Sequence, residues 1–484
     1  MHYRKRILSS LLIASGIVSA PQAALANDSS ELEQLRALVQ ELDQKVRVLA
    51  RQNELNEEAA SAAKKEAPVV TANDKGFGIK SADGKFEYQL RGLVQADYRS
   101  WIDDDKKPNI EGFTLRRIRP TFQGTVFGKY DFRFTPEFGE NKSAVVDAYL
   151  DARFQTWAKI RAGKFKPFVG LERLQSGSDI KFIERSYVSN NLLPNRDQGV
   201  ALYGDLFDGK LSYAAGVFNG VNDGGENTTS QDTNKDKDYA ARVFLTPFKD
   251  SDGALSGLGF GFAATYANQR GTASSTGLSS YKTPGQAANF FSYLVGGTPT
   301  TANTTYADGS RLRWTPQGYY YYGPFGVLAE YARVSQDVRR GNSRDKLDND
   351  AWQIAASWLL TGENASFKGV KPKKAFATDG DGWGAFELVA RYQELNVDDR
   401  AFEGSTTSTG SLAFTDLTAS AKKAQTWGVG LNWYLNQDVR IVANYEHTVF
   451  DGGGGGVKNG SGVVISALDR EDEDILFTRL QYSF

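Results

Sequence analysis

Cysteine is absent, so neither a disulfide nor a thiolate takes part in what this chain does. Histidine is nearly as scarce: of the two present, only His447 lies beyond the extreme N-terminus. A Ser-His-Asp device and a His/Cys metal centre therefore have nothing to be built from, and no enzyme or cofactor chemistry is expected. Asp379-Gly-Asp-Gly382 has the look of a calcium loop, but its twelfth position is Ala390 rather than Glu, and it reads as a turn. After the first thirty residues no apolar run approaches the roughly 20 residues a membrane helix needs. Net charge is also lacking, at −1 overall, which argues against a nucleic-acid partner. Proline is sparse, with 13 in 484 residues. If such a chain crosses a membrane, only a closed β-barrel can do it, because lipid offers no partner to an unpaired strand edge.

What is present is order of another kind. Met1–Arg6 is basic, Ile7–Ala20 apolar, and Ala24-Leu25-Ala26 a small-x-small cleavage site, so residues 1–26 read as a secretory signal. Over 27–58, Leu32, Leu35, Val39, Leu42, Val46 and Leu49 fall at alternating spacings of three and four. That is the seam of a coiled-coil helix, with Asn53 at the next a position; it implies self-association without setting the number of chains. Residues 59–84, small, charged and containing Pro68, read as a linker.

From residue 85 to 484 the period becomes two, broken by Gly, Asn and Asp clusters. Sixteen segments begin near residues 85, 113, 130, 144, 158, 198, 210, 238, 257, 310, 326, 350, 385, 425, 439 and 473. Their connections alternate between tight (Gly128-Lys129, Gly323-Pro324, Asn436-Gln437-Asp438) and long (166–197, 219–236, 270–309, 397–423, 451–471). The connection 362–383 is long on the short side. An even strand number with short turns at one end and long loops at the other predicts an all-β, 16-stranded antiparallel transmembrane barrel of a Gram-negative outer membrane. A soluble sandwich is the alternative for any alternating chain. Against it stand the aromatic-ended final strand, Ile475 to Phe484, and the aromatics near strand ends, such as Trp352, Trp358, Trp427 and Trp433.

Alternation then assigns faces. With Ile118, Pro120, Phe122 and Val126 towards lipid, Arg117 and Arg119 point inward, while Arg116 falls on the lipid side near the outer rim. The same rule turns Arg133, Arg161, Arg242 and Arg313 inward, and likewise Arg391, Arg440 and Arg479. Acids gather in or beside outer loops, at Asp103–Asp105, Asp236 with Asp238, and Glu471–Asp474. Cations lining the lumen and acids on the rim predict a pore for anions, since rings of Arg and Lys replace part of an ion's lost hydration. Gly163 to Arg196, GKFKPFVGLERLQSGSDIKFIERSYVSNNLLPNR, is too long for a turn and too apolar and cationic for a surface loop. It is expected to fold into the lumen and present Arg173, Lys181 and Arg185 to a passing anion.

Several stretches resemble the phosphate- and polyphosphate-selective porins, the porins O and P. They are Phe113-Thr-Leu-Arg-Arg-Ile-Arg119, Gly163 to Arg173, Phe182-Ile-Glu-Arg185, Leu360-Thr-Gly-Glu363, Gly384 to Tyr392 and Arg479-Leu-Gln-Tyr-Ser-Phe484. The resemblance implies a homotrimeric porin in outer-membrane lipid, with arginines leading phosphate-class anions to a constriction and the N-terminal helix in the periplasm. Where that family's phosphate porin has a lysine after Gly-Leu-Glu, this chain has Arg173. The chain departs from the family in loop 270–309, whose only cations are Arg270 and Lys282. Polyphosphate, dicarboxylates and other organic anions thus stay open beside inorganic phosphate, as does a weakly selective pore. A barrel serving only as a structural or adhesive anchor is the remaining reading.

Overall fold

The computed structural model describes residues 28–73, 76–102, 109–226, 235–406, 411–459 and 464–484; the expected signal, 1–26, lies outside them. The chain divides into two units, Met1–Ala67 and Pro68–Phe484.

The first is a single helix, α1 (Asp28–Glu66). It runs past the linker expected to begin at residue 59, because Ala59-Ala60-Ser61-Ala62-Ala63-Lys64-Lys65-Glu66 is rich in strong helix formers. It stops just before Pro68, whose ring disfavours helical backbone at the residue ahead of it. Further along the expected linker, Val69–Asn73 and Gly76–Lys80 pair as two antiparallel strands.

The second unit is a closed barrel. Its strands are β1 (Glu87–Ile102), β2 (Gly112–Val126), β3 (Tyr130–Glu137), β4 (Ala144–Gln155), β5 (Ala158–Phe165), β6 (Asp197–Leu206), β7 (Leu211–Phe218) and β8 (Asp238–Leu245). They continue as β9 (Leu258–Arg270), β10 (Tyr306–Tyr322), β11 (Phe325–Arg340), β12 (Ser343–Leu359), β13 (Ala385–Asn396), β14 (Ala421–Tyr434), β15 (Val439–Lys458) and β16 (Glu473–Ser483). Each pairs antiparallel with the next, and β16 returns to β1 from Asp474↔Ile102 to Ser483↔Leu93, which removes both edges. The short pair completes the seam: Gly76–Lys80 pairs with β1 from Phe77↔Leu90, below the end of β16. The Phe77 ring stands edge-on to Phe484 at 5.9 Å.

Three strands start earlier than the alternation suggested, β10 at Tyr306, β12 at Ser343 and β14 at Ala421. The upper parts of β12 and of its neighbour β11 carry polar side chains outward as well as inward (Arg333 and Asp337 on β11, Lys346 and Asp348 on β12), so the apolar period fades there while the ladder continues. An aromatic girdle marks the outer boundary of the lipid belt, with Tyr239, Tyr266, Trp314, Tyr331, Trp352, Tyr392, Trp427 and Tyr445 one to a strand from β8 to β15. Neighbours in it touch: Trp314 with Tyr331 and Trp352 with Tyr392 at 5.2 Å, Trp427 with Tyr445 at 5.4 Å.

Three segments fill the lumen, not one. Residues 166–196 fold in as expected, with Val169, Val188, Leu192 and Leu193 wholly buried. Residues 271–305, within one of the long connections, bring Tyr281, Phe290 and Phe291 into the same core. From the short-turn side, 360–384 brings in Phe367, stacked on Tyr319 at 5.3 Å.

The charge pattern also differs from the expected sorting, because the lumen holds both signs. Arg479 pairs with Asp97 at 2.6 Å, Arg391 with Glu446 at 2.9 Å, and Arg311 with Asp238 at 2.8 Å. Asp238 and Glu473, expected on the rim, are buried, Glu473 accepting from Thr283. A guanidinium buried in a wall is costly unless an acid meets it, which is why these strands carry matched pairs.

Arg479→Ala should therefore leave Asp97 buried with only Arg99, at 3.8 Å, as a cation partner, at a cost approaching ~3–5 kcal/mol. Urea unfolding of the reconstituted barrel measures this. The doubly neutral Asp97→Asn, Arg479→Gln chain should lose clearly less.

Candidate functional site

Just before the loop 166–196 leaves the wall, β5 passes through Gly163, which has φ +128° and packs so closely that a Cβ would lie 2.2 Å from the Ala148 carbonyl. Only glycine can turn the strand there. Once inside, the loop's main chain is taken up by wall side chains. Gln317 donates to the Val169 carbonyl (2.7 Å), Gln95 to Gly177 (2.9 Å), Asn432 to Lys181 (3.0 Å) and Arg479 to Ile183 (3.0 Å). Asn444 and Gln393 accept from the Ile183 and Tyr187 amides at 2.8 Å. All these partners sit on β1 and on β10 to β16, so the loop is held against that part of the wall and the open lumen lies beside β2 to β6.

Two chambers occupy the open side. The outer, about 830 Å³, is lined by Arg116, Arg117, Lys142, Lys164, Arg173, Arg185 and Asn190 among others. The inner, about 610 Å³, faces the short turns and is lined by Arg91, Arg133, Arg161, Tyr149, Phe168 and Phe484 among others. Arg119, Lys166 and Arg196 line both, and so mark where they meet.

Arg116 is a correction to the face assignment. The β1–β2 ladder runs Gln95↔Arg117 and then Ala96↔Leu115, which leaves Arg116 as the extra residue of a bulge. A bulge puts two successive side chains on one face, and both arginines look inward. Arg116 donates through Nε to Glu184 at 2.6 Å and lies 3.3 Å from Glu140. Arg117 donates to Gln95 at 2.6 Å, and its Nε is buried without an acceptor in the protein.

The remaining residues named from the sequence divide into two groups. Arg173 and Arg185 lie on the loop's channel face. Arg173 donates to the Ser189 carbonyl and to Asn195 (3.2 Å), with its Nε also buried and unmet. Arg185 donates to the Gln175 carbonyl at 2.9 Å. Arg119 is paired with Glu137 at 2.6 Å, and Arg161 with Asp151 at 2.7 Å, its guanidinium 3.9 Å over the Tyr149 ring. Lys181, Arg242 and Arg313 line neither chamber. Lys181 is locked to Glu387 at 2.7 Å, Arg313 is sealed against Asp223 at 2.8 Å, and Arg242 lies along Phe244 at 4.5 Å. Alternation found the correct face for Arg242 and Arg313, but strand parity carries no information about what the infolded loops cover.

Sequence reasoning missed Arg116, Lys166 and Arg196. For Lys166 and Arg196 a signal existed, since they are the cations flanking the two points where the loop leaves and rejoins the wall. Lys166 reaches only the Gln175 carbonyl, at 2.8 Å. Burial first, then the neighbouring Arg185 and Arg196, push its amine well below the usual lysine value. Burial and the same two arginines lower Arg173 to about 9. Burial would raise the Glu184 carboxyl, but Arg116, with Arg117 and Arg99, outweighs it and holds this acid well below its usual range.

A closed barrel of sixteen strands, narrowed by an infolded loop and pierced beside it by a cation-lined passage, defines an outer-membrane porin that selects anions. The family described as phosphate-selective porin O and P matches residues 86–484, and the chain belongs to it. Porin O of Pseudomonas aeruginosa is 24% identical over 448 residues, spanning 86% of this chain and 93% of that one. An uncharacterized protein of Caulobacter vibrioides is 26% identical over 265 residues, 46% of this chain and 54% of its own. Among solved structures, the outer-membrane protein OmpT of Vibrio cholerae superposes with a TM-score of 0.49 at 13% identity, covering 82% of this chain and 99% of that one. An anion-selective porin from Comamonas acidovorans gives 0.46 at 12%, covering 83% and 100%.

Lys166 is charged below its folded pKa, and that pKa is depressed, so its charge goes before an ordinary lysine's as pH rises. The anion preference read from reversal potentials in a KCl gradient should therefore fall as pH rises, before the range in which an ordinary lysine deprotonates. Lys166→Arg, which stays protonated, should retain more of it.

Proposed function

We propose that phosphate-class anions enter the outer chamber over Arg117, Arg173 and Arg185, cross at Arg119, Lys166 and Arg196, and leave past Arg133 and Arg161. One observation carries this reading. Among the described residues, Lys166, Arg117, Arg133, Arg173 and Arg185 line the chambers without a carboxylate in ion-pair distance, whereas Arg311, Arg313, Arg391 and Arg479 elsewhere in the lumen are each neutralised. Arg242 and Arg440 also lack one, but each donates to a wall glutamine and lines neither chamber. Unpaired cations are the ones free to replace an anion's hydration shell. Guanidinium forks match the paired oxygens of phosphate, and they match carboxylate too, so dicarboxylates are the competing solutes. An outer chamber of about 830 Å³ is far larger than a single orthophosphate, which favours pyrophosphate or short polyphosphate.

Self-association is the second part of the proposal. Leu32, Leu35, Val39, Leu42, Val46 and Leu49 stand between 52% and 66% exposed along one stripe of α1. A regular seam left open in one chain is met by the same seam of another; the family points to three chains, with the helix on the periplasmic side.

In planar bilayers, chloride current should exceed potassium current and be blocked by pyrophosphate at lower concentration than by succinate. Cation preference, or equal block by the two, contradicts the proposal. Reversing a charge about 4 Å from the ion shifts its energy by ~4 kcal/mol or more at an effective dielectric constant of 20. Arg173→Glu with Arg185→Glu should accordingly raise the half-blocking pyrophosphate concentration by tenfold or more, since ten times corresponds to ~1.4 kcal/mol.

A further inference from the structure

Arg440 differs from the other lumenal arginines that lie outside the two chambers. It sits near the short-turn start of β15 and is only 3% exposed. Its Nη2 donates to Gln481 Oε1 at 3.0 Å, but Nε and Nη1 are buried without an acceptor in the protein. Among the described residues no other side chain leaves two buried nitrogens unmet. The neighbouring wall has no acceptor to spare. Gln481 Oε1 also accepts from Gln95 at 2.7 Å, so both lone pairs of that oxygen are taken.

Arg440 lines a pocket of about 70 Å³, together with Ser178 and Asp179 of the infolded loop, Lys368 of segment 360–384, Asp438 and Gln481. Ser178, Asp179, Lys368 and Asp438 also line the inner chamber, so the pocket opens off that chamber. One water takes ~10–15 Å³ of such space, which leaves room here for several waters or one tetrahedral oxyanion. A buried guanidinium with no carboxylate in ion-pair distance favours the charged occupant, because water supplies no countercharge. The acids of the lining decide which anion fits, since a carboxylate can only accept. Asp179 accepts from the Ser178 hydroxyl at 2.8 Å through Oδ1, which leaves Oδ2 to meet a second donor. Burial lifts its carboxyl above the usual range, more than Ser178 and Arg440 lower it, so it readily shares a proton. Hydrogen phosphate offers both halves of the match, bare oxygens for the cations and one P–OH for the acid. Sulfate has no proton at neutral pH and sets its charge against the carboxylate.

We propose that this pocket is a separate anion site beside the inner chamber, which takes one hydrogen phosphate between Arg440, Lys368 and Asp179 and rejects fully ionised oxyanions such as sulfate. The inference rests on the anion path proposed above and adds a stopping point beyond Arg119, Lys166 and Arg196. A pore that binds its ion must also let it go, and a neighbouring site lets one ion displace the next.

The test soaks phosphate-free crystals of the full chain at neutral pH in arsenate or in selenate, with anomalous maps recorded at the arsenic and selenium edges. Arsenate, which keeps a proton there, should give a peak between Arg440 and Lys368; selenate, which keeps none, should not. Arg440→Gln should lose the arsenate peak. Lys368→Ala changes an exposed side chain, folds whether or not the first variant does, and should weaken the same peak. Asp179→Asn, whose amide can donate, should admit selenate. Water alone in the pocket, equal peaks for the two anions, an arsenate peak untouched by both cation variants, or selenate still shut out of Asp179→Asn overturns the proposal. Arsenate in the two chambers but not beside Arg440 sinks this inference alone, and arsenate nowhere in the lumen sinks the anion path as well.

Discussion

Thirty residues of irregular chain inside a barrel bring many main-chain N–H and C=O groups away from bulk water, and each has to be met. In this porin the wall meets them with side chains: glutamines and asparagines that donate and accept, and two arginines, Arg391 and Arg479, that hold an acid with one part of the guanidinium and a loop carbonyl with another. This constraint organises the rest. It draws the loop against β1 and β10 to β16, and the passage is whatever lumen remains.

The same bookkeeping explains why so many lumenal arginines do not serve transport. A guanidinium in a wall covered by an infolded loop loses its water, so it is met by an acid or, at Arg242 and Arg440, by a wall glutamine. The pairs Arg479–Asp97, Arg391–Glu446 and Arg311–Asp238 are of this kind, and their net field on a passing ion is small. Along the open side water remains available, and Lys166, Arg173 and Arg185 stay without acids. In the pathway proposed above, anion preference comes from the uncompensated minority of the lumenal cations, placed where the loop and the wall face each other.

The bulge in β2 shows how a small local irregularity reaches function. By strict alternation Arg116 faces lipid, whereas one unpaired residue in the ladder turns it onto Glu184. Arg116 thereby holds the loop's acid, and Arg117 behind it keeps its own charge for the chamber. Faces were legible everywhere else because outward positions are apolar through the belt: Phe132 and Phe134 flank Arg133, Ala241 and Val243 flank Arg242, Leu312 and Trp314 flank Arg313. A bulge leaves no such mark in composition, since one inserted polar residue looks like any other.

From the order of its residues alone, this chain had its class, its strand count, its inward and outward faces and the infolding of 166–196 settled, because lipid imposes a two-residue period and short turns on any barrel. The three-dimensional fold decided which cations matter. Arg313, inward by parity, and Lys181, carried inward by the loop, are sealed against Asp223 and Glu387, whereas Lys166 and Arg196 line both chambers. Whether an inward charge meets an acid, a carbonyl or open water depends on residues distant in the chain, 90 positions away for Arg313 and Asp223. No local pattern encodes that distance.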